Sequence, residues 1–309
     1  MIFSDKLQEL HNIYQPEFNK LLELAWENQS HIGDLLLWHI NGFYNLDILK
    51  YNANNNEKLN PHTIGPGSEG YSEFTHYAFI DKYRMTNISK LSYTDYLKLH
   101  EWTEERMKEI EELASNEAIS IQLEMLIYLK FWEADMIVKK FCQFVRILNG
   151  ENYDWYFKVS ESSRDINSSG TRQDIWRKKI RDRIEPHSTL LYELLKNTYK
   201  TQIRNSIAHS NYSIHGRYIH LNNFIESDPS SQLQVISFDE WTDIFHKTLT
   251  LYNLYIGLSN LINKFYVNLI SKHGNLVEIQ VTENDGKQYA LYVEYRNQWN
   301  DWTFIQGST

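Results

Sequence analysis

Helical periodicity dominates the pattern of apolar and polar positions along the chain. Two apolar stripes within residues 16–49 predict a pair of helices. Residues 92–148 are predicted to be helical as well, and 118–148 is interpreted as one long core helix that ends at Asn149 and Gly150. The apolar residues assigned to that core are Ile119, Leu123, Leu126, Ile127, Phe131, Ile137, Phe141 and Phe144.

Two further helices are predicted in the second half of the chain. Residues 187–210 carry an apolar side chain at every fourth position, which predicts one continuous helix with a buried face. These positions are Leu191, Leu195, Tyr199, Ile203 and Ile207. A last long helix is predicted over 238–270, and Ser237 with Glu240 is typical of a capping box at its start.

Alternating patterns, which predict strands, are confined to short regions. Ile214, Tyr218 and Ile219 flank Gly216 in a predicted hairpin that directly follows the 187–210 helix. A second hairpin is predicted near the C-terminus, where Asp285 and Gly286 separate two alternating runs.

The fold class predicted from these patterns is mainly α, a helical bundle with added N-terminal helices and small β-hairpins after the 187–210 helix and at the C-terminus. Glycine-, serine- and asparagine-rich stretches predict loops at 64–70 and 160–171. Three segments are expected: an N-terminal helical region of unassigned role over 1–115, a helical domain over 116–272, and a hairpin extension over 273–309.

Composition narrows the class of protein. A net charge of −9 argues against a protein that coats duplex nucleic acid indiscriminately, since such binding needs an overall basic surface. The single cysteine, Cys142, can form neither an intramolecular disulfide nor a cysteine-based zinc site, and its apolar neighbours predict a buried structural thiol. No signal-peptide pattern and no membrane-spanning run of roughly 20 apolar residues is found, so a cytoplasmic protein without a membrane partner is expected.

One short segment of the 187–210 helix combines a buried face with chemically useful polar groups. Ile203 and Ile207 stay within the apolar stripe. Arg204, Asn205 and His209 fall off that stripe, at about 100°, 200° and 240° around the helix from Ile203. Histidine can act as general acid or base near neutral pH, and arginine grips a phosphate and stabilises charge that builds on it. Asparagine can orient the imidazole or donate to a phosphate oxygen.

The segment Arg204-Asn205-x-x-x-His209 resembles the motif of the HEPN superfamily, whose members are typically helical bundles. Many members are ribonucleases of toxin–antitoxin, CRISPR-linked or anti-phage systems, and they usually act as dimers. The resemblance covers about 117–270 and implies that Arg204 and His209 are the catalytic pair, with Asn205 as the supporting polar residue. It implies a metal-independent endoribonuclease that uses 2′-hydroxyl transphosphorylation, and a toxin or anti-phage defence effector is expected. No metal or other cofactor is expected.

Two other interpretations of the motif stay open. An ordinary helix end, with a basic side chain and a capping histidine, accounts for Arg204 and His209 without catalysis. Arg181, Asp182 and His187 form a competing match, although a proline interrupts it and makes a shared helical face unfavourable.

Three residues after the motif are also candidates. In one HEPN subgroup a tyrosine two residues after the histidine is modified by a partner nucleotidyltransferase. Tyr212 lies three residues after His209, which departs from that pattern, so Tyr212 is expected to pack or to stack on an RNA base. His215 and His220 could line the site or bind a metal, and whether they share a face of the hairpin depends on the turn.

A basic stretch precedes the motif helix and is the second candidate feature. Positive charge beside an aromatic residue, here Trp176, suits a single-stranded RNA backbone and a stacked base. A solvated helix with local ion pairs accounts for the same pattern. The cationic residues predicted to bind RNA are Arg172, Arg177, Lys178, Lys179, Arg181 and Arg183.

The expected partners follow from these assignments. They are RNA, as single strands or tRNA loops, a second copy of the chain in a symmetric homodimer, and a regulatory partner such as an antitoxin. Two alternative functions are a HEPN module that binds RNA or a nucleotide without cleaving it, and a helical interaction scaffold. The intact motif favours cleavage, since a non-catalytic module can lose either of the two key residues freely.

Overall fold

The computed structural model describes residues 1–55, 59–160, 168–225, 227, 232–273 and 276–305. Their fold is mainly helical with small sheets, which confirms the predicted fold class at that level. A π-helical segment, Ile175–Arg181, joins α8 to α9. The helices are α1 Ser4–Asn28, α2 Asp34–Ile40, α3 Leu46–Asn55, α4 Gly67–Thr86, α5 Tyr93–Lys98, α6 Met107–Glu133, α7 Asp135–Leu148, α8 Arg172–Asp174, α9 Asp182–Ile184, α10 Thr189–Thr198, α11 Thr201–Ala208 and α12 Phe238–His273.

Both predicted hairpins are confirmed, and each belongs to a three-stranded antiparallel sheet. The first sheet has the order β5-β6-β7 and the second the order β10-β9-β8. Two smaller pairs, antiparallel β1–β2 and parallel β3–β4, were not expected. The strands are β1 Gly42–Tyr44, β2 His62–Ile64, β3 Val159–Ser160, β4 Gly170–Thr171, β5 Tyr212–His215, β6 Tyr218–Leu221, β7 Val235–Ser237, β8 Leu276–Thr282, β9 Gln288–Arg296 and β10 Asp301–Phe304.

The chain forms two compact units, and each is assembled from three separate stretches. Unit 1 consists of Met1–Pro16, Thr75–Ala134 and Thr189–Leu254, and unit 2 of Glu17–Phe74, Asp135–Ser188 and Tyr255–Thr309. The three segments expected from the sequence are each contiguous. Periodicity identifies helices one at a time and carries no information on which distant helices share a core.

Aromatic side chains fill the core of unit 1. Tyr128 and Trp132 of α6 and Trp241 and Phe245 of α12 are fully buried, and the Tyr128 and Trp241 rings lie 5.6 Å apart. The predicted capping box opens α12. The Glu240 N–H donates to Ser237 Oγ (3.1 Å), and the Ser237 N–H donates back to Glu240 Oε2 (2.8 Å).

The predicted core of α6 is partly wrong. Ile119, Leu123 and Leu126 are 58%, 43% and 47% exposed. Ile121 and Met125 are buried instead, and with Tyr128 they repeat at helical spacing on the opposite face. Because α6 is apolar on both faces, its periodicity alone cannot tell which face is buried.

Unit 2 places two buried lysines in its core helix α7. Lys140 Nζ donates to the carbonyl oxygens of His39 (2.8 Å) and Trp38, and Lys139 Nζ donates to that of Gly42 (3.0 Å). These carbonyls belong to the end of α2 and the start of β1, and the two lysines satisfy backbone acceptors there. The predicted core positions Ile137, Phe141 and Phe144 are buried, as is the free thiol of Cys142.

The predicted loops differ in detail. In the 64–70 region, β2 ends at Ile64 and α4 already begins at Gly67, so only a two-residue turn separates them. Most of the 160–171 loop lies outside the described residues, and its end forms β4. Within the described ranges, no helix combines the length and apolar character needed to cross a membrane.

Candidate functional site

The motif lies on α11, a short helix that begins after a break. α10 ends at Thr198 and α11 starts at Thr201, so the continuous helix predicted over 187–210 is interrupted. The Tyr128 hydroxyl donates to the Thr198 carbonyl oxygen (2.9 Å) and accepts from the Lys200 N–H (3.2 Å). A hydroxyl inserted in this way satisfies the backbone groups that the break exposes. The apolar stripe is nevertheless continuous: Leu191, Leu195, Tyr199, Ile203 and Ile207 are all buried.

A Schellman arrangement ends α11 and positions His209. The Ser210 N–H donates to the Ile207 carbonyl (3.1 Å), and the Asn211 N–H donates to the Ser206 carbonyl (2.7 Å). Ser210 adopts the left-handed conformation that such an end requires, with φ of 52°. His209 is therefore the C-cap residue, and its side chain is exposed.

Two neighbours hold the Arg204 guanidinium. Nη1 donates to Glu133 Oε1 (2.7 Å), while Nε and Nη2 donate to Asn205 Oδ1 (3.2 and 2.5 Å). Because a guanidinium has only donors, the Asn205 atom that faces it is the oxygen. Asn205 thus orients the arginine, a role that the sequence did not suggest.

Glu133 is the member of this group that sequence reasoning missed. It is the last residue of α6 and lies 71 positions before Arg204 in the chain. The backbone leaves helical geometry at Ala134, which has a ψ of 117°. The only signal in the sequence was a single acidic residue at the end of an apolar stretch. Acidic residues are common at the exposed ends of helices, so this signal does not single out Glu133.

The site therefore combines a restrained arginine with an exposed histidine. Arg204 is 20% exposed and Glu133 33%, so both can meet a ligand from solvent. The Glu133 carboxylate offsets the charge of Arg204, and an incoming phosphate has to compete with it for the guanidinium. Among the residues that the structure describes, no three His, Cys, Asp or Glu side chains are grouped closely enough to hold a metal ion.

No protein-family model, curated protein or solved structure matches this chain significantly. The resemblance to HEPN ribonucleases therefore rests on Arg204, Asn205 and His209 and on their place at a helix end. Any functional assignment has to be argued from the chain's own residues.

The β5–β6 hairpin after the motif carries its two histidines on one face. Ser213 pairs with His220 across the hairpin, so His215, two residues from Ser213, lies on the same face, and the His215 and His220 rings are 5.7 Å apart. Tyr212 lies on the other face, where its partner Leu221 is buried, and it is half-buried itself. This placement favours packing rather than base stacking for Tyr212.

The basic stretch belongs to unit 2, and its aromatic residue is not accessible. Trp176 is buried against Phe141, with ring centroids 5.3 Å apart, so the expected stacking of a base on Trp176 is wrong. The physical reason is the π-helical turn. Its i→i+5 hydrogen bonds bring Ile175, Trp176 and Ile180 onto one buried face.

Carboxylates of unit 2 form ion pairs with cations of this stretch. The pairs are Arg172 with Asp135, Lys178 with Asp174, Arg181 with Asp182, and Arg183 with Glu151. The side chains of Lys178 and Lys179 are exposed. This pattern favours the solvated helix with local ion pairs, and RNA binding through these residues stays a prediction.

Proposed function

We propose that the protein is a metal-independent endoribonuclease of the HEPN type, with Arg204, Asn205 and His209 in its active site. The observation that carries this proposal is the end of α11. An exposed histidine caps the helix there, and an arginine whose orientation is fixed by Asn205 and Glu133 lies on the same short helix. These are the groups needed for proton transfer and for phosphate stabilisation.

In the proposed reaction the ribose 2′-oxygen attacks the adjacent phosphorus. Its proton passes to a base, the bond from phosphorus to the 5′-oxygen breaks, and the leaving 5′-oxygen takes a proton from an acid. The products are a 2′,3′-cyclic phosphate and a 5′-hydroxyl end. His209 transfers protons, and Arg204 stabilises the charge on the phosphate in the transition state. The nucleophile is part of the RNA, so the step requires no metal.

We further propose that two chains form one composite site. The base and the acid act on opposite sides of the phosphate, whereas one motif supplies a single imidazole. A twofold axis close to His209 places a second His209 and a second Arg204 at the same phosphate, and twofold dimers are the commonest symmetric assemblies.

An exposed apolar stripe on α6 supports this assembly. Ile119, Leu123 and Leu126 are exposed on one face of the helix whose last residue holds Arg204. Tyr218, on the outer face of the hairpin after the motif, is 52% exposed. Apolar and aromatic side chains of this kind form the cores of protein–protein interfaces.

One observation favours a second candidate, a protein without catalytic activity. Such a protein is either a HEPN module that binds RNA or a nucleotide without cleaving it, or a helical interaction scaffold. The Arg204–Glu133 pair satisfies the guanidinium without any ligand. An arginine of this kind can simply tie α11 to α6.

The decisive experiment incubates the purified protein with total RNA and with tRNA, in EDTA and in Mg²⁺, and maps the ends of any fragments. We expect cleavage in EDTA that leaves 2′,3′-cyclic phosphate and 5′-hydroxyl ends. RNA that is bound but stays intact would establish the second candidate. A strict requirement for Mg²⁺ or Mn²⁺ would contradict the mechanism.

The composite site is tested separately. Changing both Leu123 and Leu126 to Glu should dissociate the dimer in sedimentation and abolish cleavage, whereas Gln122→Glu, on an exposed position of the same helix, should do neither. Mixing Arg204→Ala with His209→Ala chains tests whether the two chains contribute unequally to one composite site. If they do, some activity returns in the mixed dimer. Full activity in a strict monomer would refute the composite site and leave the motif assignment intact.

A further inference from the structure

Unit 2 contains a cavity of about 610 Å³ whose described lining includes three tyrosines, one histidine and two carboxylates. The β1–β2 pair contributes Tyr44 and His62, the segment after α7 contributes Tyr156, and the β8–β9 hairpin contributes Glu283 and Tyr289. We call it the tyrosine cavity. None of these residues forms part of the proposed ribonuclease motif.

A buried histidine holds the tyrosines in place. His62 is 2% exposed, and its two ring nitrogens hydrogen-bond to the hydroxyls of Tyr289 (2.9 Å) and Tyr156 (3.1 Å). The His62 ring also meets Tyr44, Tyr156 and Tyr289 edge-on, with centroids 5.1, 5.7 and 6.0 Å away. Burial lowers the pKa of His62 to about 4, so the imidazole adds no positive charge to the cavity at neutral pH.

The charged groups of the cavity are acidic. Glu283 and Asp285 line it, and no Lys or Arg is found among its described lining residues. The Asp285 carboxylate accepts the backbone N–H of Lys287 (2.9 Å), whereas Glu283 makes no ion pair with any residue that the structure describes. The pKa of Tyr289 is raised mainly by burial and further by the charge of Glu283, as expected where the potential is negative.

We infer that the tyrosine cavity is a binding site for an organic cation that carries an alkylated ammonium group. Tyrosine faces attract such a cation through their quadrupole, and the Glu283 carboxylate adds a full negative charge. The Tyr44 and Tyr156 rings, 4.7 Å apart and inclined by 37°, form adjoining walls of the site. A phosphate group finds no cation here and meets two carboxylates, so the cavity is unsuited to RNA or a nucleotide.

Calorimetric titration of the protein with choline tests this inference. A neutral isostere, 3,3-dimethyl-1-butanol, has the same shape without the charge, and adenosine monophosphate is the anionic comparison. We expect choline to bind with a dissociation constant of the order of 1 mM and at least about tenfold more tightly than the isostere. Three results would overturn the inference: equal affinity for choline and its neutral isostere, tighter binding of adenosine monophosphate than of choline, or no choline binding at about 50 times the expected dissociation constant.

Variants locate the bound cation. Tyr44→Ala and Tyr156→Ala should each weaken choline binding by about 3- to 30-fold, and Tyr292→Ala, on the same C-terminal sheet but outside the cavity, should not. Tyr156→Phe keeps the ring and should bind nearly as well as the native protein, which separates the ring from the hydroxyl, and circular dichroism verifies that the alanine variants are folded. Glu283→Gln should weaken binding and reduce its salt dependence, with Glu294→Gln as its control. Undiminished binding in Tyr44→Ala and Glu283→Gln would place choline elsewhere.

Discussion

Two segments of this chain have nearly the same spacing of arginine, polar residue and histidine, yet they have different structures. In unit 1, Arg204 precedes a neutral Asn205, and His209 caps the same helix. In unit 2, Arg181 precedes Asp182, which pairs with it directly at 2.6 Å. There α9 ends at Ile184, and His187 leaves the helix to bond with Asn149 (3.2 Å).

The difference shows that the position of the helix end decides whether such a spacing keeps both side chains on one helix. The amide of Asn205 orients Arg204, whose carboxylate partner Glu133 comes from another helix, whereas Arg181 pairs with the carboxylate of its own neighbour in the chain. A helix that extends to the histidine keeps both side chains on one short element. Pro186 forbids that in unit 2 because it cannot continue the helix. The competing match therefore does not form a shared helical face.

The largest expected effect comes from replacing the histidine of the unit 1 segment with alanine, compared with the same change in the unit 2 segment. His209→Ala should lower the cleavage rate by about 10²–10⁴-fold, since it removes the group that transfers protons. His187→Ala is the matched control and should retain native activity. Initial rates on a defined RNA, with circular dichroism to verify folding, provide the measurement. Full activity in folded His209→Ala protein would refute the assignment of the active site.

The arginines provide the next contrast. Arg204→Ala should lower the rate by about 10²–10³-fold through lost charge stabilisation, and Arg181→Ala should change it by less than about threefold. Glu133→Gln weakens the contact that fixes the orientation of Arg204 and should lower kcat by about tenfold. It should not raise KM, because phosphate no longer competes with a carboxylate for the guanidinium. A purely structural role for Glu133 predicts lower thermal stability with unchanged kcat, and this pair of readouts separates the two roles.

A buried histidine of unit 1, His246, should make the stability of the protein sensitive to acid. His246 accepts the Phe3 N–H (2.9 Å) and bonds to the Thr242 carbonyl (2.7 Å), and burial lowers its pKa to about 4. The unfolded chain binds this proton below about pH 6.5 and the folded chain only near pH 4. Its contribution is thus complete above pH 6.5 and is lost as the pH falls towards 4, by an amount of the order of 3 kcal/mol.

Urea unfolding at pH 7 and pH 4.5 measures this loss. His246→Gln should show a smaller drop in unfolding free energy between the two pH values than the native protein. His11→Gln, at an exposed position, serves as the control. An unchanged drop in His246→Gln would show that other groups cause the acid sensitivity. The pH profile of cleavage should be determined within the range where the protein stays folded.

The smallest expected effect lies in the basic stretch of unit 2. Reversing both Lys178 and Lys179 to Glu should weaken RNA binding by only a few-fold, because the ion pairs of this stretch already offset much of its charge. The slope of affinity against salt should fall by about 1. Fluorescence anisotropy with a labelled single strand at several salt concentrations measures both. A loss of a hundredfold or more would make this stretch the main RNA contact.

Much of the local structure of this protein could be predicted from its sequence. The spacing of Ile203 and Ile207 predicts which face of the motif helix is buried, and Ser237 with Glu240 predicts the start of α12. Both hairpins follow from alternating residues around a glycine turn. These features depend on residues within a few positions of one another, where backbone geometry alone sets which side chains meet.

Only the tertiary structure decided which partners the motif has and which apolar faces are covered. The hydroxyl of Tyr128 interrupts the helix that Leu195 and Ile203 would continue, and Glu133 reaches Arg204 across 71 positions of chain. The exposed stripe with Leu123 and the assembly of His62 with three tyrosines are likewise invisible to periodicity. Contacts of this kind depend on how helices and strands pack, and packing is set by the shapes of many distant side chains together.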